Sequence, residues 1–289
     1  MEIFELRYFL AVAAVENIHK ASEKMHVSPA ALSKAITRLE AELSIKLFTR
    51  EGRNIQITDQ GRLLQKRASE IIQLEEATKL ELVGNSGGIQ VVLSGPEILL
   101  SHAGMKLTQD IKKRFPQSNF EYLSHDDDIA IEKVVKGEAH FAIVTSDISP
   151  KLELRAKVIG ETNFLTFVGL KHPLYPWAKS KKAIPVKEVL KHTFVSPNNP
   201  LLGKVGLKQS LDGWRDDRFP RKVDYLTSSL KSLETILLQG KAIAYLPDYF
   251  GETLSVLPLN ISDCPYSCQQ KIKLVARDHK SLGWINQIF

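Results

Sequence analysis

The sequence predicts a multidomain α/β protein, in which a winged helix-turn-helix unit and a long linker helix precede a larger α/β domain made of two halves. Helical apolar patterns fill the first part of the chain, with a short hairpin pattern between them. The stretch "GNSGG" at 84–88 marks a flexible break, and beyond it strand and helix patterns alternate. We therefore expect a winged helix-turn-helix at 1–58, a linker or dimerisation helix and hinge at 59–87, and the α/β domain at 88–289. Its second half covers about 160–265, and the chain returns to the first half at the end.

Length and composition are those of an ordinary globular protein. The chain of 289 residues suits two or three domains, and it is 43% hydrophobic and 25% charged. No stretch approaches the ~18 apolar residues that cross a bilayer. The first residues, "MEIFELRYFLAVAA", carry Glu2 and Glu5 and lack the basic region of a signal peptide. We expect a cytoplasmic protein with no membrane partner.

Positive charge is concentrated near the N-terminus. The formal net charge is +6, and ten Lys and Arg residues stand against five acids between Lys20 and Arg67. A local positive excess favours a polyanionic partner such as nucleic acid, although a solvated surface can have the same composition.

Three helices are predicted first, in the order of a helix-turn-helix. Ile3, Leu6, Leu10 and Ala13 have helical spacing, and a short helix follows at about 20–25. After a tight turn, a third helix is expected to begin with a capping serine and a proline at its first position. The apolar residues of this third helix recur at helical spacing: Leu32, Ile36, Leu39 and Leu43.

A hairpin and a long helix complete this region. In "TREGRNIQIT", Gly52 permits a tight turn, and Ile55 and Ile57 alternate as in a short strand, which predicts a wing. Thr58 then caps a helix that runs to about Leu82. Its apolar seam consists of Leu64, Ala68, Ile71, Leu74, Thr78 and Leu82. Because this seam has no obvious local partner, we expect it to pack on the same helix of a second copy.

Strands and helices alternate through the rest of the chain. In the first half, "IQVVLSG", "FEYLS" and "HFAIV" have the pattern of strands, with helices at 97–114 and 129–136. The second half has strand patterns in "FLTFVGL", "TFVSP" and "AIAYLP", with helices near 186–191 and at 229–239. The strand "KIKLVARDH" and a short helix at 281–289 end the chain. This alternation predicts βαβ units, a parallel sheet and a ligand cleft between the halves.

The third helix has the features of a helix that enters the major groove of DNA. Its face opposite the apolar seam carries short side chains, which let the backbone approach base edges, and the helix N-terminus favours phosphate. A solvated helix face followed by a charged loop is the alternative for this stretch taken alone. The residues expected to contact DNA lie on this helix and the wing: Ser28, Pro29, Ala30, Ser33, Lys34, Thr37, Arg38, Arg50 and Arg53.

These residues carry a resemblance to the LysR-type transcriptional regulators. The stretch "FLAVAAVENIHKASEKMHVSPAALSKAITRLEAELSIKLFTREGRNIQITDQG" resembles the winged helix-turn-helix and linker helix of that family. Weaker resemblance continues in "KHPL" at 171–174, "LQGKAIAYLP" at 238–247 and "VLPL" at 256–259, so that it covers essentially the whole chain.

The resemblance implies a DNA-binding regulator with a periplasmic-binding-protein-like effector domain at 88–289. The partners implied are double-stranded operator DNA, a small-molecule effector and further copies of the chain in a dimer or tetramer, with RNA polymerase added if the protein is an activator. The family commonly has Ser-Gln-Pro-Ala where this chain has Ser28-Pro29-Ala30-Ala31. The Gln contact to a base is therefore not carried over, and Ala30 is short enough to meet a thymine methyl instead.

The ends of the predicted strands supply candidate effector contacts. Small ligands in such folds sit at strand carboxyl ends and helix N-termini, where hydroxyls and free N–H groups suit a carboxylate or another small anion. Helix capping and turn formation are the alternative roles of the same residues. The effector-binding candidates are Ser94, Gly95, Pro96, His125, Thr145, Ser196 and Pro247.

Other functional classes are less well supported. An enzyme needs a reactive set of residues, and the sequence has no Gly-rich phosphate loop, GxSxG or HExxH; a transport-type solute-binding protein needs export. The acids at 126–128 are ordinary at a helix start and do not predict a metal site. Cys264 and Cys268 lack two further zinc ligands, which favours structural thiols. We expect no catalytic residues, no metal and no cofactor.

Overall fold

The computed structural model describes the greater part of the chain. The described ranges are 1–51, 54–83, 89–203, 212–264, 268–277, 283–286 and 288–289. In these ranges no helix is both long and apolar enough to cross a membrane.

Three helices form the N-terminal unit as the sequence predicts: α1 (Ile3–Val15), α2 (Ile18–Met25) and α3 (Pro29–Leu43). The turn before α3 begins at His26, whose left-handed backbone ends α2. Ser28 Oγ then accepts a hydrogen bond from the backbone N–H of Ala31, 3.2 Å away, and this cap fixes where α3 starts. The core between the helices is made of aliphatic side chains, among them Val12, Ala21, Leu32 and Ile36.

The predicted wing is an antiparallel pair, β1 (Phe48–Glu51) and β2 (Asn54–Ile57). Two carboxylates attach it to the helices. The Ile57 N–H donates to Glu16 at the end of α1, with 2.9 Å between N and Oε1. The Leu47 N–H donates to Glu40 of α3, 2.8 Å away. The wing therefore has a fixed position beside α3.

Helix α4 (Asp59–Val83) is the predicted long helix, and Thr58 caps it by accepting from the Gly61 N–H at 3.0 Å. Its apolar seam, however, is divided between two environments. Leu64, Ala68 and Ile71 pack against α1 in the same chain, in a cluster that includes Leu6 and Phe9. The expectation that the seam has no local partner is thus wrong for its first half, because α1 presents its own apolar face there. Further along α4, Leu74 and Leu82 are exposed.

The first half of the larger domain follows the predicted alternation. Its elements are β3 (Gln90–Gly95), α5 (Glu97–Leu99), a π-helical turn (Leu100–Gly104), α6 (Met105–Arg114), β4 (Asn119–Ser124), α7 (Asp127–Lys136) and β5 (Phe141–Val144). Strand β3 lies between β4 and β5 and is parallel to both. The predicted parallel βαβ arrangement is confirmed in this half.

The second half contains more elements than the sequence predicts. They are β6 (Leu154–Gly169), α8 (Tyr175–Ser180), β7 (Ile184–Pro185), α9 (Val186–Val189), β8 (Thr193–Pro197), β9 (Lys222–Thr227), α10 (Leu230–Leu238), β10 (Ala244–Pro247), α11 (Phe250–Thr253), β11 (Val256–Pro258) and β12 (Ile261–Ser262). The chain then returns through β13 (Gln269–Arg277) and α12 (Gly283–Asn286). Strands β8 and β9 are parallel.

The main sheet is mixed rather than purely parallel. Its order is β10-β6-β13-β5-β3-β4, with β11 also paired to β6, and every pair involving β6 or β13 is antiparallel. Strand β6 is 16 residues long and belongs to both halves. Its pairing with β13 shifts register between Ile272 and Lys273, where Ile159 is left out of the ladder, so that a bulge lies between the halves.

Helix α4 also contacts the larger domain of its own chain. Ser69 Oγ donates to the carbonyl oxygen of Lys136 at 3.0 Å, at the end of α7. Gly137 follows with a left-handed backbone at φ 75°, and a Cβ there would lie 2.3 Å from Ser69 Cβ. Lys66 forms an ion pair with Glu153 at 2.5 Å. The linker helix is therefore seated on the α7–Gly137 corner.

Candidate functional site

One face of α3 is exposed along its whole length. The buried face consists of Leu32, Ala35, Ile36 and Leu39. The predicted DNA-contacting residues of the helix lie on the opposite side: Ser28, Ala30, Ser33, Lys34, Thr37 and Arg38 are exposed and Pro29 is half-buried. Because small side chains dominate this face, the helix backbone is accessible to a groove of DNA.

A buried acid positions the arginine of this face. Glu5 of α1 is fully buried, and its Oε1 lies 3.3 Å from Nε of Arg38, whose side chain is 63% exposed. Burial of a carboxylate is costly unless it is paired, so the charges favour a position of the Arg38 guanidinium beside Glu5, although Oε1 accepts no hydrogen bond from the described residues. The sequence analysis did not identify Glu5 as part of this site. The sequence feature that points to Glu5 is the presence of an acid within the apolar stripe of α1.

The structure describes one of the two wing arginines. Arg50 lies in β1 opposite Ile55, in a strand that runs beside α3. Arg53 lies outside the described residues. Their DNA contacts stay predictions.

A cavity of about 340 Å³ lies between the halves of the larger domain. The first half contributes the start of α5 and the end of β4, and the second half contributes the end of β8 and the start of α10. The serines Ser124, Ser228 and Ser229 line it together with apolar residues such as Leu201. This is the position at which the sequence predicts the ligand cleft.

The structure brings together only some of the predicted effector contacts. Pro96 and His125 line the cavity. Ser94 does not: it is fully buried and donates to the carbonyl oxygen of Leu123 at 3.3 Å. Gly95 lies against Ile143, whose carbonyl oxygen would be 2.3 Å from an added Cβ, so this glycine allows β3 and β5 to approach closely.

Two further predicted residues form hydrogen bonds to carboxylates within the protein. Both the N–H and the Oγ1 of Thr145 donate to Asp127, at 2.9 and 3.2 Å. Ser196 donates to Asp212 at 3.3 Å, and Asp212 pairs with the buried Arg221 at 2.7 Å. The sequence analysis did not identify these two acids, since each is separated from its partners by many residues of chain.

The segment after β8 crosses from the second half to the first. Asn199 and Leu201 line the cavity. A few residues later, Gly203 has a left-handed backbone at φ 51°, and a Cβ there would lie 2.6 Å from Oγ1 of Thr145. The crossing segment therefore meets the first half beside Asp127. Pro247, the last predicted contact, lies in β10 opposite Phe164 and does not line the cavity.

Neither the acids nor the cysteines assemble a metal site in the described ranges, where no group of three His, Cys, Asp or Glu side chains is suitably placed. Of the acids at 126–128, Asp126 caps α7 by accepting from the Ile129 N–H at 2.9 Å. Cys264 and Cys268 are thiols in an apolar cluster with Trp214 and Tyr245.

Two family profiles match the chain, one on each side of the Gly-rich stretch at 84–88. The profile of the bacterial regulatory helix-turn-helix proteins of the lysR family matches residues 3–62. The profile of the LysR substrate binding domain matches residues 90–281. Together they cover both of the regions described above, the exposed α3 face and the cavity.

Curated relatives and solved structures agree with these profiles. The chain is 25% identical over 199 residues to the HTH-type regulator YybE of Bacillus subtilis, covering 68% of this chain and 66% of YybE. It is 24% identical over 210 residues to the HTH-type transcriptional regulator CysB of Burkholderia cenocepacia, covering 71% of this chain and 65% of CysB. The chain thus spans just under two thirds of each relative. A full-length OxyR variant of Pseudomonas aeruginosa has the same fold, with a TM-score of 0.65, 18% identity, and coverage of 100% of this chain and 92% of OxyR.

Proposed function

Because the chain belongs to the LysR family of bacterial helix-turn-helix regulators, we propose that it is a transcriptional regulator that binds duplex operator DNA and senses a small molecule. DNA binds along α3 and the wing. The effector binds between the halves of the larger domain, and the role of that domain is sensing rather than catalysis.

The exposed face of α3 is the observation that carries this proposal. A solvated helix of a globular protein usually presents long charged side chains to water. Here the capped N-terminal turns present Ala30 and Ser33, with Lys34 and Arg38 at the edge, all exposed. That arrangement suits close approach to base edges, flanked by cations for phosphates.

Selection from a pool of random-sequence duplexes tests the DNA-binding role. We expect enrichment of one sequence by the full-length chain, with affinity above that for a scrambled duplex of the same composition and a steep loss of affinity as salt increases. Fluorescence anisotropy measures both. Equal affinity for the enriched and scrambled duplexes would contradict the proposal.

We also propose that the protein works as a dimer or tetramer through the exposed part of α4. Leu74 and Leu82 are 46% and 82% exposed. A long helix with exposed leucines in its second half suits pairing with a second copy. A cytoplasmic location follows from the proposed role, and so does contact with RNA polymerase if the protein is an activator. Both proposals depend on that role.

A further inference from the structure

Helix α4 has a second buried line of side chains, and this line is polar. Gln65, Ser69 and Gln73 recur every four residues, so they share one face of the helix, and each is at most 6% exposed. This face is turned towards the larger domain. The amide of Gln65 donates to Glu138 at 3.5 Å, and Ser69 Oγ donates to the carbonyl oxygen of Lys136 at 3.0 Å. The polar line is thus distinct from the apolar seam that packs on α1.

The two faces of α4 differ in what it costs to expose them to water. The apolar face packs on α1 through side chains such as Ala68 and Ile72, and opening that contact loses the hydrophobic contribution. The polar face regains hydrogen bonds to water when its contact opens, so the net loss is small. Polar contacts between domains of one chain are the kind that open and close readily. Of its two contacts, α4 is therefore more easily separated from the larger domain than from α1.

Some buried atoms in this region have no hydrogen-bond partner among the described residues. They are Oε1 of Gln73 and both terminal nitrogens, Nη1 and Nη2, of Arg277. Arg277 is the last residue of β13 and is 6% exposed. An added Cβ on Gly137 would be 2.5 Å from Oγ of Ser69 and 2.8 Å from Nη1 of Arg277. The guanidinium group therefore lies at the corner on which α4 is seated.

The guanidinium group of Arg277 is charged in this position. Burial lowers its pKa to about 10, and the Glu70 carboxylate of α4 opposes that shift. Arg277 is thus a cation at neutral pH, while its terminal nitrogens are removed from water and have no acceptor in the described part of the chain. A buried charge with unsatisfied donors destabilises the arrangement that buries it. Separation of α4 from this corner would let water reach the group and relieve that cost.

We propose that the contact between α4 and the α7–Gly137 corner is a releasable latch. Arg277 favours the open arrangement, and the Ser69 hydrogen bond and the Lys66–Glu153 ion pair favour the closed one, which the structure shows. As a regulatory device the latch rests on the proposed function, because it joins the DNA-binding unit to the domain that senses the effector. A ligand or an operator that binds one arrangement better shifts the population towards it.

Cross-linking with a carbodiimide measures the closed population in the full-length chain, without DNA or any ligand. The reagent joins an ammonium group to a carboxylate in contact with it, and Lys66 and Glu153 are in contact when the latch is closed. Mass spectrometry of a mixture of isotopically labelled and unlabelled chains gives the yield of this cross-link within one chain. The yield is taken relative to that of Lys191 and Glu188, an exposed pair of the second half 2.6 Å apart.

Variants at the latch should change this yield in opposite directions. Arg277→Met keeps an unbranched side chain and removes its charge, and Gln73→Leu removes the unsatisfied amide. We expect each of these two variants to raise the relative yield at least twofold. Ser69→Ala removes the hydrogen bond to Lys136 and should lower the yield at least twofold. Arg218→Met, at an exposed arginine of the second half, is the matched control and should give the wild-type yield.

The inference is overturned if Arg277→Met is folded, as its melting temperature shows, and its yield is equal to or below that of the wild type. If Arg277→Met does not fold, equal yields in Gln73→Leu and Ser69→Ala overturn it instead. Its failure is separable from that of the proposed function, because the cross-link is measured without DNA. Sequence-selective DNA binding with unchanged yields removes only the latch. Changed yields without DNA binding remove only the regulator role.

Discussion

At the residue scale, Lys34 offers the cleanest test of the proposed DNA interface. It is exposed on α3, and the structure gives its side chain no partner among the described residues, so its removal leaves no buried group unsatisfied. We expect Lys34→Ala to weaken operator binding and to lower the slope of log affinity against log salt by about one. Lys182→Ala, at an exposed lysine of the second half, should leave both unchanged. Equal behaviour of the two variants in fluorescence anisotropy would remove Lys34 from the interface.

Arg38 is a poorer choice for that test because Glu5 depends on it. Truncation of Arg38 removes the closer of two cations beside the buried Glu5 carboxylate and leaves only the N-terminal ammonium group, 3.9 Å from its Oε2. We expect Arg38→Ala to lower the free energy of unfolding by about 1–3 kcal/mol, and Glu5→Gln in the same chain to recover part of that loss. Urea denaturation of the two single variants and the double variant measures the coupling. Additive effects would mean that the pair does not interact.

Two histidines, the buried His172 and the half-buried His140, make the stability of the larger domain depend on pH. Nδ1 of His140 accepts from the Val92 N–H at 3.0 Å, and Nδ1 of His172 accepts from the Leu174 N–H at 3.1 Å. Burial lowers the pKa of each imidazole from 6.5 to about 4. Between these values the unfolded chain binds more protons than the folded one. Stability is therefore fully present above pH 6.5 and is lost as the pH falls towards 4.

The loss should be on the order of 3 kcal/mol for each histidine over that interval. Denaturation in urea at pH 7 and pH 4.5 measures it. His140→Asn keeps an acceptor near Val92 and should show a smaller decrease on acidification than the wild type. His19→Asn, at an exposed histidine, is the control. A decrease of equal size in His140→Asn and the wild type would show that His140 does not titrate in this way.

At the scale of elements, α4 packs on α1 along its first half, pairs with Arg7 of α1 through Glu75 and Glu76, and exposes Leu74 and Leu82. Leu74→Asp changes an exposed side chain, so we expect a smaller oligomer in sedimentation with an unchanged melting temperature. Ile71→Asp places a charge in the cluster between α1 and α4 and should lower the melting temperature of the N-terminal unit. Leu170→Asp, at a leucine 62% exposed elsewhere, is the control. An oligomer unaffected by Leu74→Asp would exclude this part of α4 from the interface.

The sequence predicts well those helices and strands whose position is determined by residues adjacent in sequence. The start of α3 follows from Ser28 and Pro29, and the strands of the first half follow from short apolar runs. The sequence does not predict the length of β6, because its first residues are largely exposed and mix apolar with charged side chains. They form a strand only because β13, about 100 residues later, pairs with them. The α3 face was predictable for the same local reason, whereas the hydrogen bonds to Asp127 come from Thr145 and Ser146, far along the chain.

At the scale of the whole molecule, the seat of α4 on the α7–Gly137 corner links the two functional regions. We expect Ser69→Ala, which removes the hydrogen bond to Lys136, and Gly137→Ala, which forces a Cβ against Ser69, to change how the effector alters operator affinity. Gly137→Ala should also lower the free energy of unfolding by about 1 kcal/mol or more, because its φ is 75°. Gly160→Ala, where an added Cβ meets nothing within 4 Å, is the control. A wild-type response in both variants would show that this contact does not transmit the signal.

The bulge at Ile159 has a consequence for how sequences of this kind can diverge. Side chains alternate sides along a strand, and one unpaired residue reverses that alternation. Beyond the bulge, Thr162 and Phe164 of β6 are buried in the second half. The earlier residues of β6 pair with β13, which returns to the first half. Loss of a single codon here would turn every later side chain of the strand to the opposite side. The number of residues in this segment is thus held fixed by the packing of both halves at once.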